Sequence, residues 1–149
     1  MAGITHTSVE AGGGASRTRM SGLYGITAGQ TVRLTVVNIH ITETIAARMG
    51  WTQNPPVASK EVTLAPGESA YLDVTAGKVR KAVPDSFDRY GRTELRATVT
   101  CLDRDSRSLL ATIQVFDDET GRTTIAQEMP PPPTEWRSIP SSRKRGGQI

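Results

Sequence analysis

Thr93-Glu94-Leu95-Arg96-Ala97-Thr98-Val99-Thr100-Cys101-Leu102 is followed, after a short polar stretch, by Ser108-Leu109-Leu110-Ala111-Thr112-Ile113-Gln114-Val115-Phe116. In the first run Leu95, Ala97, Val99 and Cys101 recur at every second position; in the second, Leu109, Ala111, Ile113 and Val115 do the same. A period of two sends alternate side chains to one side of an extended chain, so each run predicts a strand with one buried face. Asp103 to Ser106 supplies turn residues between them and predicts a hairpin. Asp117 to Gly121 then predicts a second turn, with Arg122 to Gln127 closing the sheet.

The same reading extends towards the N-terminus. Val32, Leu34 and Val36 alternate with Arg33 and Thr35, after which Val37, Ile39 and Ile41 alternate with Asn38 and His40. That one-residue change of phase predicts a bulge, or a strand passing between sheets, within Gln30–Thr42. Leu23–Thr27 is a short run before the Ala28-Gly29 turn. Thr44–Gln53 reads as a strand ending at Asn54-Pro55-Pro56, and Val57–Leu64 and Ser69–Thr75 flank Pro66-Gly67. Proline presets φ and glycine tolerates positive φ, which suits the centre of a type II turn. Residues 76–92 form the longest gap, with a short helical turn expected near Lys78–Val83. Strand signals without helical alternation predict an all-β chain, an antiparallel sandwich of about seven strands. The expected organisation is a Gly/Ser/Thr-rich tail over residues 1–21, a sandwich over 22–129, and a tail over 130–149 that begins Pro-rich and ends basic.

Composition agrees with tails outside the core: hydrophobic residues are 36% and aromatics 5% of 149 residues, low for a fully packed chain. The net charge of +3 belongs to the two tails, because residues 22–127 carry twelve Lys/Arg against twelve Asp/Glu. The domain itself therefore shows no excess of positive charge for nucleic acid. No apolar run approaches the length of a membrane-spanning helix, and the first twenty residues hold no apolar stretch of secretory-signal length. Those features give no location, and an extracellular or particle-associated setting stays open. Cys101 is the sole cysteine, which rules out an intramolecular disulfide, and its place on an apolar face predicts a buried side chain.

Three phrases carry a resemblance. Thr27-Ala28-Gly29-Gln30-Thr31-Val32-Arg33-Leu34, Leu64-Ala65-Pro66-Gly67-Glu68-Ser69-Ala70 and Val115-Phe116-Asp117-Asp118-Glu119-Thr120-Gly121-Arg122 are similar to turn-and-strand phrases of bacterial immunoglobulin-like and fibronectin-type-III-like domains. The resemblance spans roughly residues 22–127. It implies an immunoglobulin-like sandwich and a role in adhesion, assembly or ligand display, and it transfers no functional residue. The cysteine pair of antibody domains is absent.

No catalytic constellation emerges. His6 and His40 are the only histidines, no Gly-x-Ser-x-Gly elbow occurs, and His40 reads as a solvent-facing strand residue. Gly12, Gly13 and Gly14 lack the strand, helix and lysine of a phosphate loop and read as a linker. Asp103 and Asp105 in one turn, with Asp117, Asp118 and Glu119 in another, are the candidate calcium ligands if the two turns share an end of the sandwich. The simpler reading is turn chemistry, in which each Asp bonds its own backbone, and no cofactor is expected. Arg143, Lys144 and Arg145 are the candidate contacts for a polyanion. Phe87 and Tyr90, in the 76–92 loop, are the candidate platform for a carbohydrate or other ligand.

Two apolar islands stand in the polar tails: Ile4 to Val9, and Trp136 to Ile139. Sandwich edges leave backbone groups unpaired, and an extended tail can pair with such an edge in a neighbouring subunit. The leading expectation is a non-enzymatic structural subunit that forms homo-oligomers, filaments or particles through Ile4, Val9, Trp136 and Ile139. Ligand binding through the 76–92 loop is the alternative, and weak polyanion binding through the basic tail the next. Trp51, at a strand end, is the tryptophan expected to fill the core.

Overall fold

The computed structural model describes residues 18–53, 55–104 and 106–130. Within them the chain forms eight strands: β1 (Thr18–Thr27), β2 (Gln30–Asn38), β3 (Ile45–Thr52), β4 (Pro56–Leu64), β5 (Ser69–Thr75), β6 (Arg92–Cys101), β7 (Leu109–Asp117) and β8 (Thr123–Glu128). One helix, α1 (Ala76–Ala82), follows β5. The strands make two antiparallel four-stranded sheets, ordered β1-β6-β3-β4 and β5-β2-β7-β8, so an all-β sandwich stands. No helix among the described residues is long and apolar enough to cross a membrane.

The alternating runs behave as their period requires. Leu95, Ala97, Val99 and Cys101 from β6 face Leu109, Ala111, Ile113 and Val115 from β7, and all are buried. Yet β6 and β7 lie in different sheets and do not pair. The expected hairpin at Asp103–Ser106 is instead an arch from one sheet to the other, since two apolar faces bury more surface opposed than side by side. The turns at Ala28-Gly29 and Pro66-Gly67 are arches as well. In the latter, Glu68 N–H donates to the Ala65 carbonyl at 2.9 Å and Gly67 takes φ of 84°, a value that a Cβ would strain.

The expected phase change in β2 does not occur. From Val32 its burial alternates without interruption to Asn38, which is fully buried, and the strand ends there. Asn38 Nδ2 donates to the Glu43 and Leu64 carbonyls, each at 2.8 Å, and Oδ1 accepts from His40 N–H at 2.8 Å. A side chain that satisfies three backbone groups outcompetes an isoleucine for the inward position. Ile39 and Ile41 are therefore turned out, 53% and 87% exposed. His40 is no strand residue either: its Nδ1 accepts from Thr42 and Glu43 N–H and closes the β2–β3 connection.

The boundary expected at residue 22 falls inside β1, which starts at Thr18. Arg19 is buried; its guanidinium reaches from one sheet to the other and donates to the carbonyls of Leu109 and, at 3.3 Å, Met129. Burial lowers its pKa, and the nearby Glu128 carboxylate opposes that shift. On the same side of the sandwich Tyr24 Oη donates to Gln127 Oε1 at 2.6 Å. Across the molecule Trp51, fully buried, donates from Nε1 to the Leu72 carbonyl of the opposite sheet at 3.1 Å.

Burial raises the Tyr24 pKa above the ordinary tyrosine value, because the fold favours the neutral phenol. Its contribution to stability is therefore complete below about pH 10 and is lost as pH rises through the raised folded value. The unfolding free energy, measured by urea titration, should fall above about pH 10, and more shallowly in Tyr24→Phe. Parallel profiles for the two proteins would rule this out.

Candidate functional site

Strand register divides the sandwich into two ends. Thr18, Asn38, Leu64, Cys101 and Leu109 share one, and Thr27, Gln30, Thr52, Thr75, Arg92 and Asp117 share the other. The first end carries the 39–44 and 102–108 connections. The chain enters the described domain there at Thr18 and leaves it there through Met129, whose N–H donates to Ala111 at 2.8 Å, and Pro130. Ile39 and Ile41 project at this same end.

The outward face of the β1-β6-β3-β4 sheet carries rows of side chains across the strands. Thr18, Thr100, Arg48 and Glu61 form one row; Met20, Thr98, Gly50 and Ser59 the next; Leu23, Arg96, Thr52 and Pro56 a third. The outer rows are tall, and Arg48 is tied to Glu61 at 2.7 Å. The middle row is low because Gly50 has no side chain. A Cβ there would lie 2.8 Å from Thr98 Oγ1 and 3.4 Å from the Ala58 carbonyl. The result is a predominantly apolar groove of about 480 Å³, walled at its β1 end by Thr18 and the half-exposed Met20. A glycine inside a strand is a place where another chain can approach the backbone closely.

The opposite sheet presents a different face. Arg33 holds Asp73 through two hydrogen bonds of 2.8 and 2.9 Å, and its guanidinium lies 4.2 Å from the Tyr71 ring centre and 5.3 Å from that of Phe116. The Asp73 hydrogen bond raises the Arg33 pKa. Charge and aromatic surface are satisfied within this cluster, so the groove is the less committed of the two faces.

The candidate calcium ligands are not brought together. Asp103 precedes β7 and Asp117 ends it, so the two acidic turns sit at opposite ends of a nine-residue strand. Asp103 lies against Arg104 at 3.6 Å. Asp117 Oδ1 accepts from the N–H of Glu119, at 2.8 Å, and of Thr120. Asp118 accepts from the Thr31 hydroxyl. Asp105 lies outside the described residues, and among those described no three His, Cys, Asp or Glu converge as metal ligands would.

The 76–92 segment is at the far end from Thr18 and Pro130. Thr75 Oγ1 caps α1 by accepting from Lys78 N–H at 3.0 Å, and Val79 is buried. Phe87 packs against the core beneath Arg80, whose guanidinium is 3.9 Å from the ring centre, while Tyr90 stands 74% exposed. The expected pair of ligand-facing aromatics is thus one partly buried ring, covered by Arg80, and one exposed ring. Ile4, Val9, Trp136, Ile139, Arg143, Lys144 and Arg145 lie outside the described residues. Sequence reasoning missed Arg19 and the groove. Both depend on which strands are neighbours, and β1 and β6 are far apart in the chain.

No family model matches this chain, and no curated protein does. Among solved structures, a crystal structure of Thermotoga maritima 1070 is similar at 14% identity over 78% of this chain and 94% of that chain, with a TM-score of 0.49. A likeness that slight carries no argument about function.

Proposed function

We propose that this chain is a non-enzymatic, immunoglobulin-like assembly subunit: a rigid sandwich whose contacts with other copies gather at one end. The observation that carries the reading is the convergence of Thr18, Pro130 and the exposed Ile39 and Ile41 at that end. An isoleucine left almost wholly in water at a connection tip gains free energy from a partner that covers it. Both chain ends start from the same place and can add to that contact.

The immunoglobulin-like part of the proposal rests on the four central strands. β2 pairs with β5 in one sheet and β3 with β6 in the other, as the second and fifth and the third and sixth strands do in immunoglobulin domains. The flanks are arranged differently: β1 lies beside β6, and β7 beside β2.

The test is light scattering of the full chain over a range of concentration. Mass should rise with concentration, and Ile41→Asp should weaken the association about tenfold or more, the worth of one well-buried isoleucine. Ile41 touches solvent on nearly all sides, so the variant keeps its fold. A monomer at every concentration would end this reading.

A further inference from the structure

We infer that the groove on the β1-β6-β3-β4 face receives the Ile4–Val9 segment of a second copy of this chain. The inference rests on the assembly reading and names the segment and its seat.

Three observations lead to this occupant. The groove has a floor of Gly50, Thr98, Ser59 and the Ala58 backbone, apolar walls at Met20 and Pro56, and on its rim Arg48, whose charge is already paired with Glu61. Residues 1–9 contain no Asp, Glu, Lys or Arg, whereas Trp136–Ile139 includes Arg137. Of the two apolar islands in the tails, only the first is free of charge that the floor would have to desolvate without a partner. The lengths also agree. Four strands about 4.8 Å apart make a groove roughly 15 Å long, and six extended residues span about 20 Å.

The chain enters at Thr18, which is itself a wall of the groove, so residues 1–17 start beside such a seat. Eight residues lie between Val9 and Thr18, a reach of about 30 Å when extended, enough to cross to an adjoining domain. A segment folded onto its own groove would still leave Ile39 and Ile41 in water. A segment held by a neighbour brings a second body that can cover them, which favours the second copy. The hydroxyls of Thr52, Thr98 and Ser59 around the groove can bond an extended backbone, and Gly50 lets that backbone come close.

The experiment mixes two full-length proteins. One carries His6→Cys with a nitroxide on the new thiol; the other is unlabelled in that sense and isotopically enriched for NMR. The native Cys101 is fully buried and stays unlabelled. Broadening of the Gly50, Ser59 and Thr98 amides in the enriched copy is the expected result. Adding Ile4→Asp and Val9→Asp to the nitroxide chain should abolish it. Both positions lie outside the described residues, ahead of Thr18, and an unchanged amide spectrum of the doubly substituted chain checks that the domain keeps its fold. Gly50→Val in the enriched chain should abolish it too.

Broadening seen only when nitroxide and isotope share one chain would overturn the inference in favour of self-docking. No broadening in a mixture that light scattering shows to be associated would overturn it while leaving the assembly reading intact. A mixture that remains monomeric would overturn both.

Discussion

Trp51→Ala should destabilise the domain by about 4 kcal/mol, the middle of the range for deleting a large buried aromatic. Two effects add. Trp51 is fully buried in the core between the sheets, and truncation leaves a cavity that a close-packed sandwich can only partly refill. Its Nε1–H also donates to the Leu72 carbonyl, so the loss leaves an acceptor on the opposite sheet without that donor. Trp51→Phe separates the two, since it keeps most of the volume and removes the hydrogen bond. It should cost about half as much. Urea unfolding followed by far-UV circular dichroism gives the comparison, with the native tryptophan signal avoided. A loss below about 1.5 kcal/mol for the alanine variant would mean that the core closes over the gap or that Trp51 is not its keystone.

Arg19→Ala should cost about 3 kcal/mol, nearly as much, although Arg19 sits in a stretch of polar composition. Breaking a buried charged donor from its acceptors costs this amount when the acceptors stay buried. Here the acceptors are the carbonyls of Leu109 and Met129, in the sheet facing the arginine. The competing term is the desolvation of the guanidinium, which burial makes unfavourable and which lowers its pKa. Replacement by alanine would recover that desolvation energy. The two stranded carbonyls and the lost packing of the side-chain stem outweigh it. Arg19→Met retains the stem and should cost about 2 kcal/mol, because the carbonyls are stranded in both variants. If neither variant moves the urea midpoint, the guanidinium is not holding the sheets.

The contrast between these two residues shows what a sequence of this kind discloses. Trp51 could be placed in the core from its type and its position at the end of a strand run. Leu95 to Cys101 and Leu109 to Val115 could be assigned inward faces from their period alone, and all eight side chains are buried. Arg19 could not be placed, because its value comes from Leu109 and Met129, and nothing in Thr18-Arg19-Met20-Ser21 marks a strand. Asn38 misled for a related reason. Hydropathy ranks Ile39 and Ile41 above it, but three backbone partners reward the amide. The arches escaped notice because the same turn residues serve hairpins and crossings alike. The groove was equally invisible, since Met20, Thr98, Gly50 and Ser59 become a row only when four strands are aligned.

The hydrogen bond between Arg19 and Met129 brings the two places where the chain enters and leaves the described domain to the same end of the sandwich. A protein with that layout behaves as a cassette. Cut at Thr18 and Pro130, it could be spliced into a surface loop of a host protein through two short joins, and those two points could be joined and the chain reopened at the Asp117–Gly121 hairpin, on the far side. The sandwich is thus suited to transfer between chains as a unit, with its exposed isoleucines carried at the point of attachment.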